Sequence, residues 1–383
     1  MHLDFNISQA AFHRDYLYQK PLLFKNAVKE INIGWKEINE LYQRANPMDH
    51  QFKFRKGPPI PKEAYVEAFN DVGRTRYRFN KAAVYQYLQE GATLVYNRIN
   101  NEPFVDDIAK QVAQFARAQT VVSSYLAFGD APSYKNHWDT RDVYAVQLMG
   151  KKHWSLSAPN FEMPLYMQQA KDMPHIQPPE KADMEVVLEA GDVLYIPRGW
   201  WHNPVPMGCE TFHLAIGTFP PNGYNYLEWL LKKAPEIASL RHSFQGRDAD
   251  EGNIRDMAQQ VAELIASPDH YDSFVQAFLG DVRTDTPFAM ELFGNPNADG
   301  LPDHALLRLN TMDLSTLANG FVIANGIKIN TDADSSVAFE KLAKQDKTRL
   351  SELLEGCDVG QQAKIRALLM QLGALDAVEV FRE

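Results

Sequence analysis

The chain has 383 residues, too many for one ordinary hydrophobic core, so two or three domains are expected. With 45% hydrophobic and 23% charged residues it is globular, and no run of about 18 apolar residues offers a membrane-spanning helix. A net charge of −10 and the lack of a conspicuous Lys/Arg cluster speak against direct nucleic-acid binding; the acidity either suits a basic protein partner or serves solubility alone.

In chain order, "MHLDFNISQAAFHRDYLYQK" lacks a basic stretch followed by an apolar one, so no secretory signal is expected. The two cysteines, Cys209 and Cys357, are far apart, which excludes a disulfide scaffold or a cysteine zinc cluster and fits a reducing cytoplasm. Residues 1–118 read as mixed and largely helical, with loops at "RANPMDHQ" and "RKGPPIPKE". Residues 119–220 change to short β-rich runs such as "TVVSSYLAF", "DVYAVQL" and "TFHLAIGTF", separated by turn residues; this is the pattern of a sandwich, barrel or jelly roll. Residues 221–290 return to helical spacing. Residues 291–383 begin with a linker-like stretch and then a strand pair, "HALLRLN" and "GFVIANGIKIN", with a hairpin turn at "ANG". Two helical segments ending in "ALDAVEVF" complete a small module of winged-helix type, and the fold class is α+β.

Four H-x-D triplets occur: His2/Asp4, His13/Asp15, His137/Asp139 and His270/Asp272. "HRD" at 13–15 mimics a kinase catalytic loop, but Lys20 stands where that loop needs Asn. "HYD" at 270–272 reads as an ordinary helix start. Context selects His137/Asp139, because residues i and i+2 of a strand share a face. Downstream, "GDVLYIPRGWWH" runs an apolar strand into a turn that delivers His202. Two histidines and one carboxylate form the facial triad of non-haem Fe(II) oxygenases, which leaves metal positions open. In "KKHWSLSA", Lys152, Trp154, Leu156 and Ala158 read as inward, and Lys151, His153, Ser155 and Ser157 as outward. An inward lysine needs an anion, such as the far carboxylate of a metal-chelated dicarboxylate. The paired tryptophans before His202 read either as plain core or as a rim that shields the site and grips substrate.

The motifs "HWD", "DVYAVQLMGKKHW" and "GDVLYIPRGWWH" resemble the Jumonji-C class of 2-oxoglutarate-dependent oxygenases. Within that class the chain resembles the ribosomal oxygenases, a group that includes the bacterial ribosomal protein L16 arginine hydroxylase. The resemblance also takes in "FHRDYLYQKPLLFKNA" and covers nearly the whole chain. It implies a double-stranded β-helix (a cupin-like jelly roll) with N-terminal helices, a helical dimerisation region and a C-terminal winged-helix-like module. It implies Fe(II), 2-oxoglutarate and O2, with His137, Asp139 and His202 as iron ligands and Lys152 on the distal carboxylate of 2-oxoglutarate. Tyr125 corresponds to a hydroxyl partner for that carboxylate, and Tyr134 stands where related enzymes often have Thr. Three further departures are Lys152 where the bacterial arginine hydroxylases carry Arg, "DAPSYKN" where they have a Gly-rich lead into the H-x-D, and a bulkier "PRGWWH" approach to the last ligand.

The expected function is hydroxylation of a side chain of a basic, ribosomal protein by a cytoplasmic homodimer. Three other readings keep the same residues: N-methyl-lysine or N-methyl-arginine demethylation, small-molecule hydroxylation, and a non-catalytic metal-binding cupin scaffold.

Overall fold

The computed structural model describes residues 1–381, in two compact units: Met1–Phe219, and the chain from Pro220 onward. The segment ahead of residue 119 is less helical than its texture suggests. Its helices are Gln9–Asp15, Trp35–Arg44, Lys81–Gln89 and Pro103–Ala116. Between them lie β1 (His2–Leu3), β2 (Leu22–Phe24), β3 (Val28–Lys29), β4 (Phe52–Arg55), β5 (Pro59–Ile60), β6 (Val66–Asp71), β7 (Arg74–Phe79) and β8 (Thr93–Tyr96). Apart from the β6–β7 hairpin, these strands are two to four residues long, too short for a period-2 pattern to stand out, and β2, β4 and β8 are held by partners distant in sequence. This segment packs within the same unit as the β-rich centre rather than as a separate body.

The centre supplies β9 (Gln119–Ala127), β10 (Asp142–Ser157), β11 (Met184–Glu189), β12 (Val193–Ile196) and β13 (Trp201–Phe219). The main sheet runs β2-β12-β10-β13-β9-β8-β4-β5, with β11 added alongside β10, and every pairing is antiparallel. Strand β10 pairs with β12 over Val143–Val146 and with β11 over Lys151–Leu156, while β13 follows it through both halves. Register shifts between Gln147 and Met149 and between Gly150 and Lys152 mark where the pair bends. Two long bent strands shared by both halves are the frame of a jelly roll.

Side chains alternate across this frame. Tyr144, Val146, Phe212, Leu214 and Ile216 join the outer core, with Phe12, Ile38, Leu41 and Ile108 from the helices. Ala145, Trp154, Leu156, Leu188, Leu194 and Ile196 form a separate inner cluster. Each buried Leu or Ile contributes roughly 1.5–3 kcal/mol relative to exposure, so the alternation fixes register as well as stability.

The second unit opens with helices Gly223–Leu231, Arg247–Ala266 and Pro268–Asp281. Ser267 caps the last of these by accepting from His270 N–H, so "HYD" at 270–272 is indeed a helix start. Strands β14 (Leu306–Leu309), β15 (Phe321–Ala324), β16 (Ile327–Asn330), β17 (Thr348–Arg349) and β18 (Val378–Phe381) follow, with helices Ala333–Lys344 and Val359–Ala374. The "ANG" turn joins β15 to β16 with φ of 45° at Asn325 and 76° at Gly326, as a two-residue hairpin turn requires. The expected pairing of "HALLRLN" with this hairpin is not found. Strand β14 lies between β17 and β18, because "VEVF" leaves the helical pattern at Asp376 (φ 58°) and returns as a strand.

Candidate metal centre

His137 and Asp139 precede β10 in an extended segment that bridges to the start of β13. His202 N–H donates to His137 O at 2.8 Å, and His137 N–H donates to His202 O at 3.2 Å. Residues opposite one another in an antiparallel bridge project on one side, so the two imidazoles stand 4.4 Å apart. Asp139 joins them two residues on, with Oδ2 3.6 Å from His202 Nε2. Trp138 points the other way and packs edge-on against Trp201 at 4.7 Å. The turn before His202 depends on Gly199, whose φ is +87° and whose N–H donates to Asp139 O at 3.0 Å. A Cβ there would meet Pro164 Cδ at 2.9 Å and Phe161 O at 3.0 Å.

One donor atom from each of His137, Asp139 and His202 lies within 4.8 Å of the others. The hydrogen bonds fix which nitrogens are available. His137 Nδ1 lies 2.8 Å from Lys135 O, and His202 Nδ1 lies 3.1 Å from Trp200 O. A carbonyl oxygen only accepts, so each Nδ1 carries a proton and each Nε2 offers its lone pair. Burial, aided by His137, brings the His202 pKa down to about 4, so this ring is neutral at pH 7. Burial opposes the charge on Asp139, yet Arg141, His202 and His137 outweigh it and hold the carboxyl below its ordinary value. Two imidazole Nε2 atoms and a carboxylate therefore converge on one point, a donor set that fits a divalent metal with positions left open.

Lys152 enters from the inner face of β10 and is 2% exposed. The expected alternation holds from Lys151 through Leu156 and breaks at Ser157, which is buried, and Ala158, which is exposed. Burial alone brings Lys152 down to about 7. Its Nζ sits 3.4 Å from His213 Nδ1 and forms no salt bridge to an acid among the described residues. His213 is itself driven well below its ordinary value, by burial and then by Lys152. Tyr125 stacks on His213 at 4.9 Å with rings 8° apart, and Lys152 Nζ is 6.0 Å from the Tyr125 ring. The Trp154 ring lies 5.6 Å from His213 and 6.2 Å from His202, and its indole N–H is buried without a partner. A buried cation and an orphaned donor beside the triad fit a bound anion.

Tyr134 lies 5.8 Å from His137 and 6.3 Å from Tyr125, with the Arg55 guanidinium 4.2 Å over its ring. Burial raises the pKa of both tyrosines, so both keep their phenolic protons at neutral pH. Trp201 is buried, with its N–H donating to Asn160 Oδ1 at 2.9 Å, and belongs to the structural support of the loop. Trp200 is half-buried and packs against the inner cluster.

The motifs did not point to His213 or Arg141. His213 sits opposite Tyr125 in the β9–β13 register. Its signal was the inward parity of Thr211, His213 and Ala215 against outward Phe212, Leu214 and Ile216. Arg141 Nη1 approaches Asp139 Oδ1 at 3.5 Å, and its stem crosses Gly217, where a Cβ would fall 2.6 Å from Arg141 Cδ.

Residues 94–226 match the family model described as "JmjC domain", a match that begins in β8, ahead of the texture change at 119. The chain is 34% identical over 238 residues to the bifunctional lysine-specific demethylase and histidyl-hydroxylase NO66 of Dictyostelium discoideum, covering 60% of this chain and 44% of that protein. It is 28% identical over 189 residues to ribosomal oxygenase 1 of Gallus gallus, covering 46% and 29%. It thus spans less than half the length of these curated relatives. Over 100% of both chains its fold is similar to that of the Escherichia coli ribosomal oxygenase YcfD, with a TM-score of 0.59 at 17% identity. A structure of that protein in complex with cobalt and 2-oxoglutarate gives a TM-score of 0.58 at 16% identity. Over residues 94–226 the chain is thus similar to JmjC domains, and its fold is similar to that of a ribosomal oxygenase.

Proposed function

We propose that the protein is an Fe(II)- and 2-oxoglutarate-dependent hydroxylase whose substrate is a side chain of a basic, ribosomal protein. The observation that carries this reading is the buried Lys152 side chain, with no acid partner among the described residues, linked to three convergent metal-type donors through the rings of His213 and Trp154. In this reading His137 Nε2, Asp139 and His202 Nε2 hold the iron, while Lys152 takes the far carboxylate of 2-oxoglutarate through a charge-assisted hydrogen bond. When bound, the iron couples O2-dependent decarboxylation of 2-oxoglutarate to oxidation of a substrate C–H. The chain's own residues orient and exclude. The carbonyls of Lys135 and Trp200 hold the imidazoles in the ligating tautomer, and Arg141 steadies Asp139. Tyr125 and His213 wall the Lys152 pocket, with Tyr134 beside His137. The cobalt and 2-oxoglutarate complex of the E. coli neighbour supports the same pair of ligands here.

A second reading, demethylation of an N-methylated lysine, is favoured by the names of the NO66 relatives. Assay of Fe(II)-loaded protein with a ribosomal protein extract separates them. Succinate formation with a one-oxygen mass gain on a ribosomal protein is expected; formaldehyde release with loss of a methyl would establish the demethylase instead. Absence of substrate-stimulated succinate with any ribosomal or methylated substrate would refute both.

The homodimer expected over 221–290 is also part of this proposal. It is supported by apolar side chains left in solvent on these helices, among them Leu231, Ile254 and Tyr271. The winged-helix-like reading of 291–383 is supported by its helices, three-stranded sheet and separate hairpin. Two cysteines without a disulfide suit a cytoplasmic location.

A further inference from the structure

Strands β6 and β7 form a hairpin that pairs with nothing else and stands in solvent along most of its length. Six cross-strand pairs join them, from Val66 and Phe79 at the base to Asp71 and Arg74 at the tip. The base is anchored: Phe79 packs on Phe52 of β4 at 4.6 Å, and Val66 lies against the main core. Beyond the base, every residue from Ala68 to Arg78 is exposed, with Val72 at the tip 97% exposed. An isolated two-stranded hairpin is marginal in water and buries little apolar surface here, so its stability gives no reason for its length.

Its chemistry is one-sided. Partners in register share a face, so Glu67, Phe69 and Asp71 stand with Arg78, Arg76 and Arg74. Three guanidiniums therefore follow one another on one face at about 6.8 Å, the repeat of alternate residues in an antiparallel strand. The Phe69 ring, 38% exposed, lies among them, with the Arg78 guanidinium 5.4 Å over it. Tyr77, 50% exposed, is on the opposite face. The two acids do not cancel this surface. The Arg76–Asp71 and Arg78–Glu67 pairs are solvent-exposed contacts of the kind that exchange readily, and each guanidinium keeps donors to spare. Residues 53–81 as a whole carry eight Lys and Arg against three Asp and Glu, in a chain whose total is −10.

We propose that the β6–β7 hairpin is a binding arm for single-stranded RNA, with Arg74, Arg76 and Arg78 on successive phosphates and Phe69 as a stacking surface for a base. Aromatic rings interleaved with guanidiniums along an extended edge suit unpaired bases and their backbone, which need both a π-face and a charge at each step. A row of charges would also keep the exposed edges from pairing with other strands, but either sign serves that purpose, and an exposed Phe works against it. The base of the arm packs on β4 through Phe79 and Phe52, and Arg55 of the same strand covers Tyr134 beside His137, so the arm and the metal centre share β4 as a scaffold. The choice of RNA rests on the ribosomal reading above, whereas the binding itself requires no metal or turnover.

The test is fluorescence anisotropy of a labelled oligouridylate of about twelve nucleotides with the full, metal-free chain. The variants are the R74Q/R76Q/R78Q triple and F69A; their 2-oxoglutarate binding in the presence of Mn(II), equal to wild type, reports an intact fold. Expected are salt-sensitive binding by wild type, at least tenfold weaker binding by the triple variant, and a salt slope flatter by about 2, since each single-strand phosphate contributes about −0.7. F69A is expected to bind about tenfold more weakly, and duplex RNA of equal charge more weakly than the single strand. Equal affinity in wild type and triple variant, no binding by wild type, or binding of poly-glutamate as tight as that of RNA would each overturn the proposal.

Discussion

Lys152 is the side chain whose state responds most directly to the proposed cosubstrate. Buried and unpaired, it loses its proton near pH 7, far below the value near 10.5 of an unfolded chain. Between those values the unfolded chain holds more protons, so this group makes the ligand-free protein more stable as pH rises through about 7 to 10.5. A carboxylate at Nζ draws the proton back. Affinity for 2-oxoglutarate is therefore expected to fall as pH rises above about 7, by up to tenfold per unit, in calorimetric titrations from pH 6.5 to 8.5. Lys152→Met is expected to weaken binding about 10–150-fold, the worth of a hydrogen bond to a charged group, and to flatten the profile. A wild-type profile already flat would mean that Lys152 does not meet the ligand. Arg141 provides a second test at this scale. Arg141→Ala is expected to lower metal affinity about 10–100-fold. Gly217→Ala, which intrudes on the Arg141 stem, is expected to act through the same contact, so the double variant should be no worse than the poorer single one. The closeness of His137, Asp139 and His202 was legible because two of them share one face of an extended segment, though it forms only an isolated bridge and not the strand expected, and the third ends a strand-turn signal. Arg141 and His213 were not, because the first acts through a glycine on another strand and the second through cross-strand register.

The elements that deliver these residues depend on a few backbone demands. Gly199 adopts a positive φ in the turn that aims His202, with no room for a Cβ. Gly199→Ala is expected to cost about 1–2 kcal/mol from the left-handed backbone alone. That corresponds to about 2–8 °C in the melting of a unit of this size, with a loss of metal affinity, read by calorimetry and metal titration. An unchanged melting temperature and affinity would show that the turn relaxes freely. The region of β9 to β13 was legible as short β-rich runs between turn residues, but β10 runs unbroken through "MGKK" and β13 through "NPVPMG", because their bulges bend the strands without ending them. Strands β2, β4 and β8 were not legible, being three or four residues long and held by the sheet they join. Strand β18 was masked by helical texture that continues up to Asp376.

On the scale of the whole molecule, two compact units with separate cores predict that ligands act on one of them. Mn(II) with 2-oxoglutarate at about 100 times their dissociation constants adds about 2.7 kcal/mol to the unit that binds them. Its melting is expected to rise by about 5–10 °C, while the transition of the chain beyond Pro220 stays fixed in the same calorimetric scan. A common shift of all transitions would show that the units unfold as one. Total charge was a poor guide at this scale, since a net of −10 concealed the excess of basic residues over 53–81. The measurement that tests the central claim most directly is 2-oxoglutarate binding to anaerobic protein with and without Mn(II), in wild type, His137→Ala, His202→Ala and Lys152→Met. Tight binding that requires the metal, disappears in both histidine variants and weakens in the lysine variant is the predicted result. Binding indifferent to the metal, or unchanged in the histidine variants, would contradict a centre built on His137, Asp139 and His202.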